Sequence, residues 1–423
     1  MTVITSVVAR QILDCKARPM VEVELRTESG VVGRAAAPTG SSVGMHEAKV
    51  LRDEDPSSYD GLGVHRAVRN VTEVIAPELV GTVFATQRDL DEALVGLDGT
   101  ADKGVLGGNA VYPVSVAFLR AQAAEAGKPV YEHIARGPLA SIPVPCFNVI
   151  NGGRNRDAVQ AFNEFIVVPY GAETIDEAVE MGVQIFKKLP GLIESATGNP
   201  ATVGGSYGYA APYSDPHSVL SLLQDAVGAA GYDGRVSFAL DCASSEMYDR
   251  ENKTYELNGG RVDNVGLVGY LKQLTEEFDL LFVEDPLDED DWAGFSLAVR
   301  ELTRTYVFGD DFIVTNKERL DRAIAEKAAE GFVLKPNQIG TITESLDTFD
   351  TATENGLFAL PSGRSGGVID DIVMDLSLGL QVPFQKNGAP RSGERIEKLN
   401  FLMRAAQEIP GSALSRIESL ARY

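Results

Sequence analysis

Between Val236 and Lys335 the chain carries four short apolar runs, RVSFALD, LLFVED, TYVFGDD and GFVLK, that reach charged residues at Asp241, Glu284, Asp310 and Lys335. The last three recur about every 25 residues with helical patterning between them, which is the pattern of βα units around a buried parallel sheet. Closed into a barrel, such strands bring their C-terminal residues to one mouth. Three carboxylates gathered there repel one another unless a cation neutralises them. Hard oxygen ligands without cysteine or histidine suit Mg2+ or Mn2+. A lysine beside such an ion is expected to have a lowered pKa and to serve as a base. Any one of these residues alone would read as a solvated loop start, but four in register point to a site that ionises a carbon acid.

With 423 residues, the chain has room for one large barrel and a smaller companion domain. Its net charge of -23, with no long basic run to offset it, argues against nucleic acid or an anionic membrane as partner. An anionic substrate then needs a local cationic pocket. Cys15, Cys146 and Cys242 are far apart and lack CxxC spacing, so neither a zinc site nor a disulfide framework is indicated. A start without signal-peptide features and the absence of a long apolar run complete the expectation of a cytoplasmic protein.

The sequence predicts strands from Thr2 to about Ala36, with a hairpin about Glu28-Ser29-Gly30, and then a mobile loop in APTGSSVGMHEAKVLRD. From about His65 to Ala135 the apolar spacing is helical. These segments form an α+β domain over 1–135, and RGPLASIPVPC reads as a linker into a barrel domain over 140–423. The barrel opens with PCFNVINGG and NEFIVVP. Two later runs end near Arg364 and Lys386.

Taken together, ILDCKARPMVEVE, APTGSSVGMHEAKVLRD, VPCFNVINGG, VEDPLDEDDW, FGDDFIVTN, LKPNQIGTITES, SGRSGG and KNGAPRSGER make the chain resemble the enolase superfamily over nearly its whole length. The fold this implies is α/β: an enolase-type eight-stranded β/α barrel with an α+β N-terminal capping domain. Its early strands depart from simple βα order. The resemblance implies that Asp241, Glu284 and Asp310 bind a first Mg2+, and that Ser42 helps to hold a second ion with the substrate. It makes Lys335 the base at C2, Lys386 a contact of the substrate carboxylate, and Arg364 and Ser365 the holders of a phosphoryl group. Glu164 would support the acid side of the reaction, and a homodimer or higher homo-oligomer is implied as the assembly.

The chain also departs from that pattern. Where the family loop reads VGDEGGFAP, this chain reads VGGSYGYAAP, so its acidic pair becomes Gly205 and Ser206, and the general acid is replaced by serine. The histidine of INGGxH becomes Asn155, flanked by Arg154 and Arg156; the histidine and last glutamate of SHRSGE become Gly363 and Gly367. Fewer carboxylates and more guanidiniums predict a roomier, more cationic pocket for a larger, phosphorylated or phosphonylated anion. Tyr207 or Tyr209 would be an alternative proton donor. On this logic the chain looks most like carboxyphosphonoenolpyruvate synthase of phosphinothricin-type antibiotic biosynthesis, a magnesium-dependent lyase forming an enolpyruvate by C2 proton abstraction and elimination at C3. The alternatives are a phosphopyruvate hydratase, converting 2-phosphoglycerate to phosphoenolpyruvate, and a non-catalytic enolase-like binding protein.

Overall fold

The computed structural model of the protein describes residues 1–40, 43–153 and 159–423. Four strands open the chain: β1 (Thr2–Leu13), β2 (Pro19–Thr27), β3 (Val32–Ala36) and the distant β4 (Val83–Phe84), arranged β3-β2-β1-β4. The expected hairpin joins β2 to β3 with Glu22 opposite Ala36, and its turn uses Gly30 at φ +84°, a conformation that costs glycine little. Helix Gly108–Glu125 covers the sheet and is buried on almost every face. It comes so close that a Cβ at Gly33 would overlap the Ala117 carbonyl.

Two features differ from the sequence reading. The stretch that reads as wholly helical contains β4, which is only two residues long and too short to leave a period. The Pro- and Gly-rich linker contains the strand Ser141–Ile142, which pairs in parallel with Ala413–Leu414. A partner some 270 residues downstream leaves no local trace.

Eight strands build the barrel: β5 (Val144–Asn151), β6 (Glu164–Val168), β7 (Ser237–Asp241), β8 (Leu280–Glu284), β9 (Tyr306–Gly309), β10 (Gly331–Leu334), β11 (Phe358–Pro361) and β12 (Phe384–Lys386). Their order is β11-β10-β9-β8-β7-β6-β5-β12, and a bridge between Ser362 and Lys386 joins the two ends. Among the described residues no helix intervenes between β5 and β6, and β6 runs antiparallel to both β5 and β7. Two helices, Ile175–Thr197 and Pro216–Ala230, then precede β7. The remaining neighbours pair in parallel, as the apolar runs predict. The barrel interior is solid, with the rings of Phe282, Phe308 and Phe384 stacked at centroid separations of 5.1–6.1 Å. A small three-stranded sheet over Tyr248–Val262 interrupts the βα order after β7 and was not expected.

The capping domain is fastened to the barrel by buried polar contacts. Asp91, on helix Gln87–Asp98, accepts from Gln87 Nε2 at 3.0 Å and from the Thr343 amide, at the start of helix Ile342–Glu354, at 2.8 Å. Burial raises the Asp91 pKa to about 6, although hydrogen bonds from Ser115, Thr343 and Gln87 oppose it. Between about pH 4 and 6 the folded chain therefore holds a proton that the unfolded chain has released. The resulting stability is present at low pH and lost as pH rises through about 6. Relative to Asp91→Asn, which cannot titrate, the unmodified protein should lose about 1–3 kcal/mol between pH 4 and 7. Urea unfolding of both proteins across that range checks this, and parallel stability curves would refute it.

Candidate active site

The barrel mouth gathers the charged strand ends because neighbouring strands are in register: Glu284 lies beside Asp241 on one side and Phe308 on the other. Asp241 and Glu284 are the last residues of β7 and β8, while Asp310 and Lys335 follow β9 and β10 by one residue. Glu164 reaches the same level from the opposite end of its strand. Because β6 is reversed, its first residue pairs with Asp241.

The carboxylates divide into two groups. Around Lys386, the last residue of β12, stand Asp241 Oδ2 at 2.9 Å, Glu284 Oε2 at 2.6 Å and Glu164 Oε2 at 2.9 Å. The Glu164 contact is an ion pair by distance without hydrogen-bond geometry, since Glu164 Oε2 has no hydrogen-bond partner. Burial pulls the Lys386 ammonium pKa down, but Asp241, Glu164 and Glu284 outweigh it and raise it well above the usual lysine value. Glu284 is wholly buried. Burial and then Asp241 push its pKa well up, against Lys386.

The second group centres on Asp310, which pairs with Lys335 Nζ and accepts from Gln338 Nε2 at 2.8 Å. Burial pushes Asp310 up, yet Lys335 and Lys386 win and leave its pKa lowered. Asp285, Asp310 and Asp311 each place an oxygen within 4.8 Å of the others. Asp285 is committed to the backbone, accepting from the amides of Asp310 and Asp311 at 2.8 Å each, and it sits at φ +43°. It shapes the turn that aims Asp310. Burial lowers the Lys335 pKa, but the directly paired Asp310, helped by Glu284, raises it above the ordinary lysine value; a cation drawing on those same carboxylates would remove that pull, and the expected lowering belongs to that ion-bound setting.

The chemistry of the expected donors fits Mg2+: Asp241, Glu284 and Asp310 offer only carboxylate oxygens, and Glu284 Oε1 is buried without any hydrogen-bond partner. Among the described residues the three are not gathered on one point, since Lys386 Nζ stands between Asp241 and Glu284 and the oxygens close enough to share an ion are those of Asp285, Asp310 and Asp311.

Asp241, Asp310, Glu164, Lys335, Lys386, Ser206, Arg364 and Ser365 all line one cavity. Ser42, Arg154, Asn155 and Arg156 lie outside the described residues. Arg364 is buried and gives two hydrogen bonds to Glu47 of the capping domain, at 2.7 and 3.1 Å. Burial lowers its pKa, and Glu47 more than restores it. Beside it, Thr39 and Gly366 exchange backbone hydrogen bonds of 3.0 and 2.9 Å, which dock residues 37–40 on the mouth.

The Ser206 amide donates to Asn151 Oδ1 at 3.2 Å, and the Gly208 amide donates to the same oxygen at 2.9 Å, so the loop is fixed where the serine faces the cavity. Neither tyrosine suits the role of proton donor. The Tyr207 hydroxyl donates to the Cys15 carbonyl at 2.7 Å, with its pKa raised to about 12, mainly by burial and then by Cys15. Tyr209 instead receives a hydrogen bond from Arg391 at 2.9 Å.

Sequence reasoning missed several residues of this site. Glu47 carries a weak signal, an acid three residues after Gly44 in the loop. Asn151, Asp285, Arg395 and Lys398 carry none that separates them from ordinary polar positions.

The expected extra room is absent beside Gly363 and Gly367. A Cβ at Gly363 would collide with Lys398 Nζ, and one at Gly367 would lie 2.8 Å from Glu394 Cγ. Side chains of helix Gly393–Glu408 therefore fill the space beside both glycines, and a glutamate stands beside Gly367. No helix of the described residues is long and apolar enough to cross a membrane.

Comparison with known proteins agrees with this geometry. The family models for the enolase N-terminal domain and the enolase C-terminal TIM barrel domain match residues 4–134 and 139–419. A protein named enolase from Methanococcus aeolicus is 42% identical over 407 residues, covering 96% of this chain and 95% of that protein. One from Methanopyrus kandleri is 41% identical over 414 residues, 97% of each chain. One from Bifidobacterium longum subsp. infantis is 39% identical over 416 residues, 98% of this chain and 96% of that protein. These relatives overturn the expectation of a carboxyphosphonoenolpyruvate synthase in phosphonate antibiotic biosynthesis: each is named enolase at about 40% identity over nearly full length. The physical premise of that expectation, a pocket opened by lost side chains, fails at Gly363 and Gly367. Mg2+ is the cofactor of the matched family. With both family models matched and the barrel, cap and acidic mouth in place, the chain belongs to the enolase family.

Proposed function

We propose that the protein is a phosphopyruvate hydratase, eliminating water from 2-phosphoglycerate to give phosphoenolpyruvate. The observation that carries this reading is the pairing of Lys335 with Asp310 at the barrel mouth, in the same cavity as Lys386, Arg364 and Ser365. In its neutral form Lys335 Nζ takes the C2 proton, the electron pair moves into a C2–C3 double bond, and the C3 hydroxyl leaves as water after gaining a proton. Asp241, Glu284 and Asp310 would hold Mg2+, with Ser42 serving a second ion, and the metal would supply positive charge to the substrate carboxylate as its neighbouring C2 loses a proton. Lys386 orients the substrate carboxylate, and Arg364 with Ser365 holds the phosphoryl group. Glu164 supports the acid side from its place beside Lys386. The same reading makes the protein a cytoplasmic homodimer acting on a small phosphorylated substrate. Its three free cysteines, two of them buried, suit a reducing compartment.

Serine at position 206 has no acidity near neutral pH, so the proton for the leaving hydroxyl comes from water. Turnover is then slower than with a carboxylic acid in that place. Ser206→Glu should raise kcat for 2-phosphoglycerate by about 10²- to 10⁴-fold, and formation of the product's conjugated double bond, followed by ultraviolet absorbance, measures it. If neither protein turns over 2-phosphoglycerate, and neither exchanges its C2 hydrogen with deuterated solvent, the hydratase reading fails and a binding protein remains.

A further inference from the structure

Lys398 is buried, 5% exposed, on helix Gly393–Glu408, and it lines the cavity that holds Lys335 and Arg364. Among the described residues it makes no hydrogen bond and no ion pair within 4 Å, and its ammonium is not sealed in the protein but faces the cavity. Its Nζ occupies the volume beside Gly363, from which a Cβ would displace it. The glycine thus leaves open the space the lysine fills, in the cavity that Arg364 and Ser365 also line. The charged and titratable groups acting on Lys398 are Asp371, Arg395, Glu394 and Cys15. Glu394 is taken up by Arg395. Asp371 Oδ2 would lie 3.1 Å from a Cβ at 363, without a hydrogen-bond partner of its own. Burial lowers the Lys398 pKa, the direction expected for a cation awaiting an anion.

We propose that Lys398, admitted by Gly363, is a substrate-binding residue whose ammonium contacts the phosphoryl group of a phosphate ester beside Arg364 and Ser365. The proposal rests on the hydratase reading for the identity of the ester. Its chemistry requires only a phosphate-like anion, so inorganic phosphate serves as the probe.

The full-length, Mg2+-loaded protein is titrated calorimetrically with inorganic phosphate, and turnover of 2-phosphoglycerate is followed separately. Lys398→Met is expected to weaken phosphate binding roughly ten- to a hundredfold and to raise KM more than it lowers kcat. Lys398→Arg should recover part of the affinity. Gly363→Ala, which forces the ammonium aside, should mimic the methionine variant while retaining the lysine. The opposing possibility is a structural pair with Asp371. In that case Lys398→Met would melt early, be rescued by Asp371→Asn, and keep its phosphate affinity, and this result would overturn the proposal. Unchanged phosphate affinity in folded Lys398→Met and Gly363→Ala would overturn it too, whatever the turnover of 2-phosphoglycerate. Conversely, loss of phosphate binding in both variants would uphold the role of Lys398 even if 2-phosphoglycerate proved not to be the substrate.

Discussion

Replacing Lys335 by alanine should abolish exchange of the C2 hydrogen of 2-phosphoglycerate with solvent deuterium and lower turnover by about 10²- to 10⁴-fold or more. The side chain that would accept the proton is placed by its backbone: the Lys335 amide donates to Thr315 Oγ1 at 2.9 Å, and Nζ is drawn to Asp310. Alanine keeps that backbone bond and removes the side chain beyond Cβ, the amine with it. The fold should therefore survive while the exchange disappears. Mass spectrometry of the recovered substrate in the presence of Mg2+ reads the result. Exchange that persists at the original rate would remove Lys335 from the mechanism and with it the assignment of the mouth as a proton-abstraction site.

The second large effect concerns Lys386. Its ammonium stands between three carboxylates, with Asp241 and Glu164 at 2.9 Å and Glu284 at 2.6 Å. Lys386→Met leaves those carboxylates facing one another in a buried pocket. Removing one member of a buried ion cluster costs about 3–5 kcal/mol. In metal-free buffer the variant should melt of the order of 10 °C lower than the parent. Added Mg2+ should recover part of that loss, because a divalent cation neutralises the same oxygens. Melting curves with EDTA and with excess Mg2+ test both halves. An unchanged melting temperature in EDTA would show that the cluster does not depend on the lysine.

The two experiments separate the roles of two lysines that look alike in the sequence. Both follow apolar runs, and burial lowers the ammonium of each while carboxylates raise it. Lys335 has one close carboxylate partner, whereas Lys386 has three.

Much of this site can be read directly from residue order. An unbroken apolar run such as LLFVE must be covered on both sides, and the charge that ends it marks where the covering stops. Repeated over β7 to β10, this pattern places Asp241, Glu284, Asp310 and Lys335 at one mouth. The family motifs extended the reading to Arg364, Ser365 and Lys386. Glu164 is different: it begins its strand, and only the reversal of β6 brings it level with Asp241. Nothing in NEFIVVP states the direction in which the strand runs.

What the amino-acid order determined by itself was the barrel with its cap and the acidic rim, since alternation, unbroken apolar runs and their terminal charges are local consequences of which faces avoid water. Only the tertiary structure decided that Glu47 clamps Arg364, that Asp285 shapes the Asp310 turn, that Lys386 divides the carboxylates, and that Lys398 fills the space beside Gly363. Those contacts join residues far apart along the chain. Their energies depend on the distance and burial of partners that no short stretch of sequence contains.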